Sequence, residues 1–314
     1  MKDITFYTLD FKCLYILPQY TVNKGYISAN VQKDFNGVGS FEFLFADETL
    51  KDIIKQHRDN LMFEWNGVQG ILCAYRDDID GFRVTGETLN GLLKRVVIPN
   101  TATTLNSDVE TLARSAISSA APWLALGEKK GFNTDVSYST DTYKSADVYI
   151  SDLLKLDNAG YEIKADVIEK KFVFEVLKSI GNDLILSTNN LNAYDFVETY
   201  INRTVAYGGY YPKKQNDVTV WSYITLNGKL NGVYKKDVVL ASKTEEEALM
   251  ELKSMVADAE TELKTRKIKY GADYSLGDVV RVQNNDTAVR KRITSIVMSQ
   301  ENGYIENPIF SEVE

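Results

Sequence analysis

The sequence predicts a mainly β protein of the α+β class, assembled from two or three modules. Three observations carry this. Aromatic and β-branched residues alternate with a period of two near both ends of the chain. Turn pairs such as Asn66-Gly67 and Asp80-Gly81 punctuate those runs. Helical periodicity is confined to a few stretches. At about 150 residues per domain, 314 residues allow roughly two domains.

Residues 1–100 read mostly as β. Ile4 to Tyr7 and Lys12 to Leu17 are short strands parted by Leu9-Asp10. Tyr26 to Val31 follows, and Gly37-Val38-Gly39 breaks the chain before Ser40 to Phe45, where Phe41, Phe43 and Phe45 occupy alternate positions. Asp47 to His57 is a short helix with Leu50, Ile53 and Ile54 on one face. Leu61, Phe63 and Trp65 alternate up to the Asn66-Gly67 turn, Ile71 to Tyr75 runs back, and Phe82 to Gly86 is a third strand. Glu87 to Arg95 turns helical, and Pro99 ends the module.

Residues 101–182 read as a small α+β insertion. Asn106 or Ser107 caps a helix, with Glu110 completing a capping box. Val109, Leu112, Ala113, Ala116 and Ile117 form its apolar stripe. A second helix spans Asp147 to Asn158 and stops at Gly160. Tyr161 to Val167 and Lys171 to Val176 make a hairpin through Ile168-Glu169-Lys170.

Residues 183–314 are β-rich again, with strands near 184–187, 199–208, 218–226, 233–239, 267–270, 278–283, 291–298 and 304–310. One long helix, 243–266, interrupts them. Ser242 and Glu245 form a capping box, acidic Glu245 to Glu247 open the helix, and basic Lys264, Arg266 and Lys267 close it. Leu249, Leu252, Val256, Ala259 and Leu263 recur at 3-4-3-4 spacing. That stripe either covers its own β module or packs against a neighbouring subunit, so these five are the candidate interface residues.

Composition excludes several function classes. Lys plus Arg number 36 and Asp plus Glu 44, a net charge of −8, so the overall field does not suit nucleic acid or anionic lipid. One histidine excludes two-imidazole mechanisms, and two cysteines make neither a usual zinc site nor a disulfide framework. The longest apolar run, Ala120 to Leu126, falls far below the ~18 residues of a membrane span. Met1 to Thr5 carry no signal-peptide pattern, so a soluble product of the cytosol is expected.

Residues that could carry chemistry have structural readings beside them. His57 closes a helix, where positive charge is favoured. Cys13 and Cys73 fall in strands among apolar neighbours and read as buried thiols. Asp77, Asp78 and Asp80 surround a turn whose spacing is wrong for an EF-hand. Gly37-Val38-Gly39 precedes no helix directly, so it is no phosphate loop. Lys213-Lys214, Lys235-Lys236 and Arg290-Lys291-Arg292 suit solvated turns or strand edges. The residues alone assign no catalytic, cofactor-binding or metal-ligating set.

Several stretches, in order, resemble the hub or tail-tip proteins of phage tails and contractile injection machines. They are Tyr7 to Lys12; Asn36 to Phe43; Val84 to Pro99, with its strand-Gly-helix pattern ending in Arg95, β-branched residues and Pro99; Asn202 to Gly209; and Tyr270 to Val282. Glu87 departs from the family, which usually carries a cation there. The resemblance implies two tube-type β-barrels, at 1–100 and 183–314, joined by the α+β insertion. It further implies a homotrimer that matches a sixfold tail tube, or distal tail protein, to a threefold spike or fibre. DNA or a tape-measure protein would pass through its lumen without specific binding. Such a subunit is made in the bacterial cytoplasm, works in the assembled virion or particle tail, and needs no cofactor and no enzymatic activity. Two other readings stand beside it. One is an envelope-degrading glycosidase using His57 and carboxylates near Asp77 to Asp80. The other is a glycan-binding β-sandwich using some of the 19 tyrosines as stacking platforms.

Overall fold

The computed structural model describes residues 3–19, 25–99, 105–139, 143–187, 193–198, 206–215, 218–226, 235–240, 244–255, 261–265, 268–284, 287–301 and 303–313. The chain divides into two compact units, a larger one of Met1–Phe196 with Glu262–Glu314 and a smaller one of Val197–Thr261. The fold is mainly β with an α+β layer.

The larger unit begins with the hairpin β1 (Ile4–Thr8) and β2 (Cys13–Leu17), followed by β3 (Tyr26–Asp34) and β4 (Ser40–Phe45). Asp47 starts α1 (Glu48–His57), its carboxylate accepting the Leu50 amide at 3.0 Å. A meander of β5 (Leu61–Trp65), β6 (Val68–Asp78) and β7 (Gly81–Thr88) comes next. Asn66 and Gly67 join β5 to β6 with φ of 50° and 77°, the left-handed pair that a two-residue hairpin requires.

The predicted alternation decides which face is core. Phe41, Phe43 and Phe45 are all buried, and Phe43 meets Phe63 edge to face at 4.8 Å. Gly86 makes room for this cluster. A Cβ there would lie 2.3 Å from the Phe41 ring and 2.1 Å from the Ile71 carbonyl oxygen. Glu87 and Thr88 complete β7, with Glu87 opposite Ser40, so the helical turn starts later than expected, as a 3₁₀ helix over Leu89–Arg95.

The α+β layer contains β8 (Val97–Ile98), β9 (Leu105–Asp108), α2 (Val109–Ala120), β10 (Leu124–Leu126), β11 (Asp135–Tyr138) and β12 (Lys144–Ser145). It is completed by α3 (Ala146–Lys155) and the hairpin β13 (Gly160–Asp166) and β14 (Lys171–Leu177). The expected cap is corrected. Asn106 and Ser107 pair with β11, and Asp108 caps α2 by accepting the Thr111 amide at 2.8 Å. Glu110 is buried and accepts the amides of Lys130 and Gly131 at 2.8 and 2.9 Å. The layer's core centres on Leu93, Ile117, Tyr149, Leu153 and Phe174, and it also takes in Met62 and Ile71 from β5 and β6.

Asn90, in the 3₁₀ helix, fastens this layer to the sheet. Its side chain donates to the Gly37 and Tyr161 carbonyls at 2.8 and 3.2 Å and accepts the Ile163 amide at 2.8 Å. The layer therefore belongs to the larger unit, and no compact division falls at residue 100 or 182.

The remaining elements are β15 (Gly181–Ser187), β16 (Ala193–Glu198), β17 (Ala206–Gln215), β18 (Val218–Leu226), β19 (Lys235–Val239), α4 (Glu245–Met255), β20 (Thr261–Thr265), β21 (Val279–Asn284), β22 (Thr287–Gln300) and β23 (Tyr304–Glu312). A thirteen-stranded sheet runs β16-β20-β23-β22-β3-β4-β7-β6-β5-β1-β2, with β21 also on β22 and β15 on β21. The join is β3 with β22, from Ser295 opposite Asp34 to Gln300 opposite Ala29. At 14 residues β22 outruns the six-residue β21, and its later half pairs with β3. Strands from both predicted β regions, 1–100 and 183–314, thus share one hydrogen-bonded sheet, while β17, β18 and β19 form a separate one.

In the smaller unit the sheet order is β18-β17-β19. Ala248 and Leu252 of α4 pack with Tyr211 and Leu240 on one face of it. The predicted helix of 243–266 is shorter than expected, because β20 follows α4 and joins the large sheet. Thr261-Glu262-Leu263-Lys264-Thr265 also alternates with a period of two, so Leu263 fits both patterns and sheet pairing decides it.

Candidate interaction surfaces

The five predicted interface residues do not lie on one helix face. Leu252 is buried against its own sheet, Leu249 is half-buried, and Leu263 lies in β20. Val256 and Ala259 fall outside the described residues. Ser242 does too, and Thr244 takes the capping part, its hydroxyl accepting the Glu247 amide at 3.2 Å.

Cys13 and Cys73 are exposed, contrary to expectation. Bulges explain both. Phe6 faces Tyr15 but Tyr7 faces Cys13, and Leu72 faces Gly86 but Ala74 faces Thr85. Each irregularity shifts the in-out alternation by one residue.

Asp77 is tied to Lys51 at 2.8 Å and to Lys55 at 3.7 Å. The Lys51 hydrogen bond holds its carboxyl below the ordinary range, the opposite of what a glycosidase acid needs. Among the described residues, no group of three or more His, Cys, Asp or Glu is placed to hold a metal ion. No described helix is long and apolar enough to cross a membrane. The Arg290-Lys291-Arg292 run lies within β22 instead of at a solvated edge, and Lys291 is buried. Arg292 donates to Ser179 Oγ and Asn158 Oδ1 at 3.1 and 3.0 Å. Glu87, the departure from the family pattern, is matched by Lys94 at 2.5 Å.

Tyr15 anchors β2 to α1, its hydroxyl donating to Asp47 at 2.6 Å. Burial and the Asp47 carboxylate push that phenol up to about 12. β2 also ends the path of the large sheet, pairing only with β1 among the described residues, and it carries exposed Cys13 and Ile16. An unpaired strand edge is a template for another chain. Two hairpin tips, at Ile79 and Ile168, present almost wholly exposed isoleucines. A shallow groove crosses the outer face of the large sheet, lined by Gln32, Glu42, Thr85, Glu87 and Val297 among others.

The chain superimposes along nearly its whole length on solved phage tail proteins. The tail protein from Neisseria meningitidis MC58 matches with a TM-score of 0.60 and 12% identity, covering 99% of this chain and 96% of that one. The 43 kDa tail protein of prophage MuSo2 from Shewanella oneidensis matches at 0.57 and 10%, covering 99% and 98%. Prophage tail protein gp18 from Listeria monocytogenes EGD-e matches at 0.56 and 13%, covering 99% and 95%. No protein-family model and no curated protein sequence matches the chain. The fold is that of phage tail proteins.

Proposed function

We propose that this chain is a structural subunit of a phage or phage-like tail, placed at the baseplate or tail tip. In this reading it is a homotrimeric hub with no enzymatic activity of its own. One face of the trimer binds the sixfold tail tube or a distal tail protein, and the other binds a threefold spike or fibre. The observation that carries the reading is the end-to-end match to tail proteins of the same length class, at 99% coverage of this chain and 96% of its Neisseria counterpart. The open edge of β2 supports it, since subunits in a ring need a strand edge to pair. The net charge of −8 suits a lumen through which DNA or a tape-measure protein slides without being trapped. The protein would be made in the bacterial cytoplasm and function in the assembled particle.

The glycosidase reading is the weaker one, because Asp77 is neutralised by two lysines. Deleting the coding sequence from its parent genome and imaging lysates by electron microscopy tests the proposal. Tails without a formed tip are expected. Intact, infective or killing particles would overturn it.

A further inference from the structure

Where the α+β layer meets the large sheet, the larger unit has an open pocket of about 380 Å³. Its walls come from the loop around Asn133, the turn after α3, the two residues after β14 and Arg292 of β22. The lining carries two cations, Lys178 and Arg292, against one carboxylate, Asp157. It therefore holds one positive charge in excess, on a chain whose net charge is −8.

Both cations are oriented by neutral groups. The Lys178 ammonium donates to the Gly131 carbonyl at 2.9 Å and lies 5.2 Å from the centre of the Phe132 ring. Arg292 donates to Ser179 Oγ and Asn158 Oδ1, and the Ser179 hydroxyl is itself held by donating to the Gly277 carbonyl at 2.8 Å. Neutral acceptors of this kind fix a cation's direction without cancelling its charge.

The loop that carries Gly131 is fastened as well. Buried Glu110 takes the Lys130 and Gly131 amides, and Arg114, four residues along α2, donates to the Gly127 carbonyl at 2.8 Å. Two side chains of one helix face thus hold both ends of the segment 127–131. Lys129 and Lys130 are exposed on it, with Glu128 as its one acid. The rim beside Lys178 is therefore basic too.

We propose that this pocket binds a carboxylate, held jointly by Lys178 and Arg292. A carboxylate carries one negative charge, which matches the single excess positive charge of the lining. A phosphate group carries about 1.5 to 2 negative charges at neutral pH, and Asp157 would oppose the surplus. An apolar ligand would strip water from two cations and return no compensating charge. The carboxylate can come from a free organic acid or from an acidic segment of a protein partner. The inference stands on the larger unit alone and holds whether or not the chain forms a hub.

The test uses the full chain and three probes: glutarate, inorganic phosphate and a hexaglutamate peptide. Binding is followed by calorimetry at pH 7 and low salt, up to about 10 mM probe. At least one carboxylate probe is expected to bind more tightly than phosphate. Arg292 also holds Ser179 and Asn158, so Lys178 is the cation to vary. Lys178→Gln should weaken carboxylate binding by about fivefold. Asp157→Asn, which removes the opposing charge, should strengthen it. Lys214→Gln removes an exposed lysine of the smaller unit and should change nothing. Circular dichroism on each variant separates lost binding from lost folding. Glutarate bound as tightly as the peptide marks a free acid as the source, and binding of the peptide alone marks an acidic partner segment. The proposal fails if neither carboxylate binds, or if phosphate binds more tightly than both. It also fails if Lys178→Gln and Lys214→Gln behave alike, or if Asp157→Asn weakens binding.

Discussion

Gln69 of β6 holds Ala165 of β13 by both of its backbone groups. Gln69 Nε2 donates to the Ala165 carbonyl at 2.9 Å, and Oε1 accepts the Ala165 amide at 2.7 Å. A primary amide has the same donor and acceptor as a peptide unit, so the side chain acts as one residue of a neighbouring strand. Asn90 plays a similar part further back along β13, accepting the Ile163 amide and donating to the Tyr161 carbonyl. Two amide side chains thus satisfy the edge where the α+β layer meets the sheet, within a single unit.

Gln69→Ala leaves both Ala165 groups without that partner. A loss of about 1–3 kcal/mol is expected, read from urea denaturation midpoints. Asn90 is more buried and makes three such bonds, so Asn90→Ala should cost more than Gln69→Ala. Equal or negligible effects would show that the two amides do not fasten the layer.

Lys33 of β3 donates to Glu162 Oε1 at 2.5 Å, and its ammonium lies 5.4 Å from the centre of the Tyr270 ring. Burial pulls Lys33 down, but Glu162 and Tyr270 more than offset it, and the net displacement is upward. A raised folded value means a contribution fully present below the unfolded lysine value of about 10.4 and lost as pH rises through the folded value. Lys33→Met should therefore be less stable than the parent at neutral pH, with Lys164 still beside Glu162 at 3.5 Å to limit the loss. The difference should hold to about pH 10 and narrow above it. A gap independent of alkaline pH would contradict the linkage.

Gly86→Val should be among the most damaging single substitutions, since its new atoms meet the Ile71 backbone and the Phe41 ring. A cost of at least about 1–3 kcal/mol is expected, measured as a fall in Tm. Gly67→Ala strains only a left-handed φ with nothing within 4 Å, and should cost less.

Leu252→Ala opens a cavity between α4 and its sheet, at a cost of about 2–5 kcal/mol to that packing. Hydrogen exchange should rise across β17, β18 and α4, while β4 and β7 stay protected. Leu249→Ala, half-buried, should do less. Reversal of that order would mean that α4 presents a different face to the sheet.

The local pattern was legible wherever period and turn chemistry agreed. Phe41 to Phe45, the Asn66-Gly67 turn and the Tyr161 to Val176 hairpin are where their residues place them. Long-range pairing was not legible. Nothing local in Ser295 to Gln300 says that β22 joins β3, because the same alternation serves any neighbour. The burial of the cysteines was misjudged because bulges reset the period, and a single extra residue leaves no sequence mark. The length of the helix after Thr244 was misjudged because Leu263 satisfies a helical and an extended pattern at once. The basic pocket was not legible either, because only the folded chain brings Lys178 and Arg292 into one lining.

The most direct test of the hub reading is the solution mass of the full chain by light scattering coupled to size exclusion. The account predicts a particle of three times 35.4 kDa, formed by the chain alone or on addition of its spike protein. A mass of 35.4 kDa at every concentration, unchanged when a spike or tube protein is added, would contradict it.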